Sequence, residues 1–122
     1  MEQATFDYIA PRVDILSTSQ ASTQVTKDAA LAWKKAIAAD NSDTAIEQAT
    51  KQLLDILEGR PTTIDGVVAF AQGPAKEMFG EEAAAQFLAK QQQRKADGAK
   101  WCDCDACTAA SEILAKFSRA EL

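Results

Sequence analysis

The stretch Ala29-Ala30-Leu31-Ala32-Trp33-Lys34-Lys35-Ala36-Ile37-Ala38-Ala39 decides the fold class. Ala29, Trp33 and Ile37 recur at i, i+4 and i+8, which is one face of an α-helix. The alanines between them are the strongest helix formers. The same bias runs through the chain: 25 of its 122 residues are Ala, against 5 Gly and 3 Pro. Such a balance favours helix and disfavours an all-β fold. No strand-like alternation breaks it, and no repeat of roughly 20–50 residues is present. With 25% charged and 47% hydrophobic residues, the chain has the composition of a folded globular domain.

Helical faces continue on both sides of this stretch. Phe6, Ile9, Val13 and Leu16 share one face, with Pro11 expected to kink that helix or to mark its start. Ser17 to Thr23 reads as a connection, with Ser22 or Thr23 capping the second helix. Asn41 or Ser42 caps a third helix that turns Ile46, Ala49, Leu53, Leu54 and Leu57 inward. Gly59 suits a left-handed stop and Pro61 prevents resumption. Thr62-Thr63-Ile64-Asp65 fits a Thr-x-x-Asp cap for a short helix, Ile64 to Ala71, apolar on nearly every side and so expected at the centre of the fold. Gly73-Pro74 stops it, and a single turn through Met78 and Phe79 follows. The next helix opens on Glu81-Glu82, carries Ala83 and Phe87, and becomes wholly polar at Gln91 to Lys95. That polar end is expected to project into solvent and offers a surface for a homodimer. Gly98 ends it, and a last helix begins among Asp103 to Ala106 and buries Ala106, Ala110, Ile113, Leu114 and Phe117. The expectation is an all-α single domain over residues 1–122, a compact bundle of five to six helices.

Charge and composition remove several function classes. Net charge is −5, and acidic and basic residues are spread along the chain. Acidic balance opposes phosphate backbones, so no nucleic-acid partner is expected. The basic residues Lys90, Arg94, Lys95 and Lys100 read as a solvated face. No apolar run reaches the ~18 residues of a membrane span. The N-terminus lacks the basic and apolar regions of a signal peptide, so the expected location is cytoplasmic. The chain contains no His, which excludes Ser-His-Asp and Cys-His catalysis and imidazole metal ligands within one chain.

One cluster carries chemistry: Lys100-Trp101-Cys102-Asp103-Cys104-Asp105-Ala106-Cys107. All three cysteines of the chain fall within six residues. A packing role would spread them at helical spacing, and Cys102 and Cys104 do not have it. A turn running into a helix can aim Cys102, Cys104 and Cys107 at one point, a soft donor set that suits zinc or another soft metal. Three thiolates leave one tetrahedral position for Asp103, Asp105, a more distant carboxylate, water or a symmetry mate. The chain then reads as a non-enzymatic protein acting through protein interaction. The alternative is a dithiol oxidoreductase or thiol redox sensor. Cys104-Asp105-Ala106-Cys107 is a C-x-x-C at a helix start, where the macrodipole favours thiolate. Lys100 would support that chemistry and Asp103 and Asp105 oppose it, with Cys102 as a resolving thiol. The βαβ context of thioredoxin-like proteins is absent.

Ile64-Asp65-Gly66-Val67-Val68-Ala69-Phe70-Ala71 and Gly98-Ala99-Lys100-Trp101-Cys102-Asp103-Cys104-Asp105-Ala106-Cys107 carry a resemblance. Over roughly residues 28–117 the chain resembles a family of short helical bacterial proteins, mostly from Firmicutes, with a C-terminal Cys-x-Cys-x-x-Cys motif. Members are often labelled heat-shock chaperones of the ninety-kilodalton class; this chain has none of that chaperone's ATPase motifs. Many members also have a cysteine before the second helix. Here Ser17 to Thr23 contains none. The resemblance implies the helical fold and the cysteine cluster, and no particular activity.

Overall fold

The computed structural model describes all 122 residues, and the chain is all-helical. Seven helices form: α1 Gln3–Thr18, α2 Gln24–Ala39, α3 Asp43–Leu57, α4 Ile64–Gln72, α5 Pro74–Phe79, α6 Glu81–Ala96 and α7 Asp105–Lys116. The expected five to six becomes seven because the turn through Met78 and Phe79 is a helix in its own right. Pro74 opens it at N1, where its missing N–H costs nothing. No helix is long and apolar enough to cross a membrane.

The chain divides into two compact units. One comprises Met1–Pro61 with Asp103–Glu121, the other Thr62–Cys102. In the first, α2 packs on α1 and α3, and α7 packs on α1 and α3. Ile9, Val13 and Leu16 of α1 meet Ala29, Ala30 and Trp33 of α2, Leu53 and Leu57 of α3, and Ile113 and Leu114 of α7. α1 continues through Pro11, which lies inside the helix and exposed, so the helix does not start there. Phe6 stacks on Trp33 at 5.7 Å between centroids, and the indole N–H donates to buried Thr50 Oγ1 at 3.0 Å. Thr23 and Ser42 cap α2 and α3 through their hydroxyls, accepting from Thr26 N and Ala45 N. Gly59 adopts the left-handed conformation expected of it, with φ +78°.

Polar contacts fasten the outer faces of this unit. Arg12 lies 3.6 Å above the Tyr8 ring and donates to Glu112 Oε2 at 2.8 Å, joining α1 to α7. After α7, Arg119 reaches back to Asp55 Oδ1 of α3 at 2.7 Å. Arg119, together with Lys51, holds the Asp55 carboxyl below its ordinary value of 3.8.

In the second unit α4 and α5 pack on α6. Thr63, rather than Thr62, is the cap: its hydroxyl accepts from Gly66 N at 3.0 Å. The edges of Phe70, Phe79 and Phe87 meet in a three-way cluster with centroids 5.9–6.3 Å apart. The expected central placement of α4 does not hold. It buries Ile64, Val67 and Ala71, leaves Val68 and Phe70 half-buried, and contributes nothing to the cluster formed by α1, α2, α3 and α7. Its apolar surplus serves the aromatic cluster of its own unit. The polar end of α6 is also not a spur. Gln91 is 0% exposed and accepts from Arg94 Nη1 at 2.8 Å, and Lys95 pairs with Asp65 at 2.6 Å. Gln92, Gln93 and Lys95 do match the expected solvent face.

Two outcomes follow for stability. Val67→Asp places a carboxylate in a 4% exposed site and should lower the urea midpoint far more than Val68→Asp, whose site is half-open to water. Asp55→Asn should cost stability at neutral pH. A carboxyl held low in the fold contributes above its unfolded value and loses that contribution as pH falls through its folded one, so the variant and wild type should converge in acid. Urea titrations at neutral pH and near pH 3 compare them.

Candidate metal centre

Cys102 is placed by a backbone bridge to a distant segment, Cys104 and Cys107 by the start of their own helix. After α6, Gly98 takes φ +95° and reverses the chain. The returning strand-like segment pairs with the residues that precede α4. Thr63 and Trp101 form an isolated antiparallel bridge. Ile64 N donates to Lys100 O at 2.9 Å and Cys102 N donates to Thr62 O at 2.8 Å. Arg94 of α6 adds a bond to Trp101 O at 3.0 Å. The backbone on both sides of Trp101 is thereby fixed, and with it the origin of the Cys102 side chain.

Cys104 and Cys107 are placed by α7. Cys104 is the N-cap residue, with extended φ −62° and ψ 156°, and its Sγ accepts from Cys107 N at 3.2 Å. A thiol sulfur thus occupies the place usually taken by a Ser, Thr or Asp oxygen. Sulfur is a weaker acceptor than oxygen, and here it still satisfies the Cys107 N–H. Position N3 brings Cys107 one turn round to the same end of the helix.

The three sulfurs lie within 4.8 Å of one another, close enough to hold one ion, and all three side chains are half-buried. In a tetrahedral zinc site with Zn–S of about 2.3 Å, sulfurs sit about 3.8 Å apart, so a small contraction completes the arrangement. No disulfide joins any pair. The residues that the sequence singled out, Cys102, Cys104 and Cys107, are therefore brought together as a set.

The acidic neighbours behave differently. Asp105 Oδ1 accepts from Ser19 Oγ at 2.5 Å and from Ala106 N at 2.8 Å. Ser19, buried after α1, thus anchors the start of α7. Asp103 and Asp105 both border a groove with Pro11, Arg12, Ile15 and Glu112. Of the basic residues read as a solvated face, Lys90, Lys95 and Lys100 are exposed, Lys95 in a surface ion pair with Asp65, whereas Arg94 is half-buried and bonded to Trp101 O. The Ser19–Asp105 contact, across 86 residues, has no signature in the sequence. The sulfur cap could have been read there, since Cys104 stands three residues before Cys107 at a helix start.

No family model matches the chain, and no curated protein or solved structure matches it either.

The cap separates structure from chemistry. Cys104→Ser keeps an acceptor for Cys107 N and should leave the melting temperature of the metal-free protein nearly unchanged. Cys104→Ala removes the acceptor and should cost about 1 kcal/mol. Differential scanning calorimetry of the two variants checks this.

Proposed function

We propose that Cys102, Cys104 and Cys107 bind zinc or another soft metal, and that the chain is a non-enzymatic protein acting through protein interaction. The observation that carries this reading is the gathering of all three sulfurs within 4.8 Å on a backbone already held at both ends. Preorganisation matters because a site that must order its own loop spends binding energy doing so. The acidic chain and its lack of a membrane-length apolar helix fit a cytoplasmic protein that binds neither nucleic acid nor membrane. The polar residues Gln92 and Gln93 remain a surface on which a homodimer could form. Membership of the helical bacterial family with the Cys-x-Cys-x-x-Cys motif belongs to the same proposal.

Binding should release protons from the thiols and change the fluorescence of Trp101, which adjoins Cys102. Protein purified without chelator should carry about one metal ion per chain by elemental analysis. Chelator should remove it, shift the tryptophan emission and lower the melting temperature. Cys104→Ser, which retains the cap, should abolish all three effects.

One observation favours a second reading. The Cys104 sulfur at the N-cap, accepting from the N–H of Cys107, supports a role for Cys104 as the attacking thiol of a dithiol pair. If the protein is a dithiol oxidoreductase or redox sensor, chelator has no effect. Mild oxidant then joins Cys104 to Cys107, leaving Cys102 as the odd thiol, and a peptide map of the oxidised protein reports the pair.

A further inference from the structure

The donor set points beyond zinc to a more specific ion, an inference that rests on the proposed thiolate site. With no His in the chain, no imidazole can complete the shell from within it. The nearest carboxylates in sequence alternate with the cysteines. Along extended backbone, successive side chains point to opposite sides. Here the backbone bridges at Trp101 and is extended at Cys104. Cys102 and Cys104 turn to the sulfur cluster, while Asp103 and Asp105 border the groove beside Pro11 and Arg12. Asp105 is further held there by Ser19 and Ala106 N. The metal-ligating group consists of three sulfurs.

Zinc in such a set has its fourth position to fill and leaves a net charge of −1 on the site. Cuprous copper leaves −2. Both charges fall beside Asp103 and Asp105 in a chain already at −5. A trivalent ion that forms three bonds and keeps a lone pair in the fourth direction needs no further ligand, and three thiolates neutralise it. We infer that the cluster is a binding site for trivalent arsenic, taken up as arsenous acid. The exchange is As(OH)3 + 3 Cys-SH → As(S-Cys)3 + 3 H2O. Three As–O bonds break and three As–S bonds form. Each thiol proton leaves on a departing hydroxide as water, and no oxidation state changes. Arsenous acid is small and neutral at pH 7, so the surrounding carboxylates do not repel it, and none of the three cysteines is fully buried.

The test uses the reduced full chain, titrated with sodium arsenite and separately with zinc, read by native mass and by counting reactive thiols. The expected result is one arsenic per chain with all three thiols protected, and displacement of bound zinc by a modest excess of arsenite. Cys102→Ser keeps the backbone N–H that bonds Thr62 O, so the turn survives. It should weaken arsenite binding by at least about tenfold. The proposal is overturned if arsenite protects only two thiols and binds Cys102→Ser as tightly as wild type, which is simple dithiol capture. It is also overturned if zinc protects all three thiols and stays bound against excess arsenite, a result that leaves the thiolate site itself standing. Failure of both ions to protect the three thiols together removes that underlying reading as well.

Discussion

Everything at the cysteine turn depends on how two stretches of backbone satisfy their hydrogen bonds. A segment leaving a helix must find partners for its N–H and carbonyl groups. Residues 100–102 find them on residues 62–64, through Ile64 N to Lys100 O and Cys102 N to Thr62 O. At the start of α7, the N–H of Cys107 finds its partner in the Cys104 sulfur and the N–H of Ala106 in Asp105 Oδ1. Cys102 is thus set by a bridge and Cys104 by a cap. Cys107 follows from helical geometry, one turn away from Cys104. Cys104 also packs, half-buried, against the aliphatic cluster of α1, α2, α3 and α7.

This arrangement separates the roles of neighbouring residues that alternate in the chain. Cysteines at 102 and 104 turn one way, and the aspartates at 103 and 105 border a groove on α1 and α7. The Ser19 contact draws Asp105 further into a structural role, because a buried hydroxyl bonded to a carboxylate is costly to break from either side. The chemistry left to the cluster is that of sulfur alone: soft-ion binding or thiol exchange. Both depend on thiolate.

The two units bury their cores by different means. The unit of α1, α2, α3 and α7 uses long aliphatic residues around Trp33, whose indole N–H is satisfied by Thr50. The unit of α4, α5 and α6 has few large aliphatics. It relies on close approach at Val67, Ala71, Ala75 and Ala84, and on three phenylalanine edges. Gln91 is buried in it without penalty because Arg94 supplies a hydrogen bond to its oxygen.

What the sequence determined by itself was local. Periodicity placed the apolar faces of α1, α2, α3 and α7, since a 3.6-residue repeat is a property of the chain and not of its surroundings. Caps at Thr23 and Ser42 and the reversal at Gly59 are equally short-ranged. The crowding of Cys102, Cys104 and Cys107 into six residues makes the candidate site visible in the sequence itself. Only the tertiary structure decided the rest. An all-apolar helix such as α4 can serve any core, and which one depends on partners far along the chain. A polar run such as Gln91 to Lys95 reads as a solvent face until Arg94 and Trp101 show how Gln91 and the turn are satisfied. Ser19 and Asp105, and Thr62 and Cys102, meet across many residues. Such contacts leave no period or spacing in the sequence, because hydrogen bonds between distant segments depend on where the packed helices bring them.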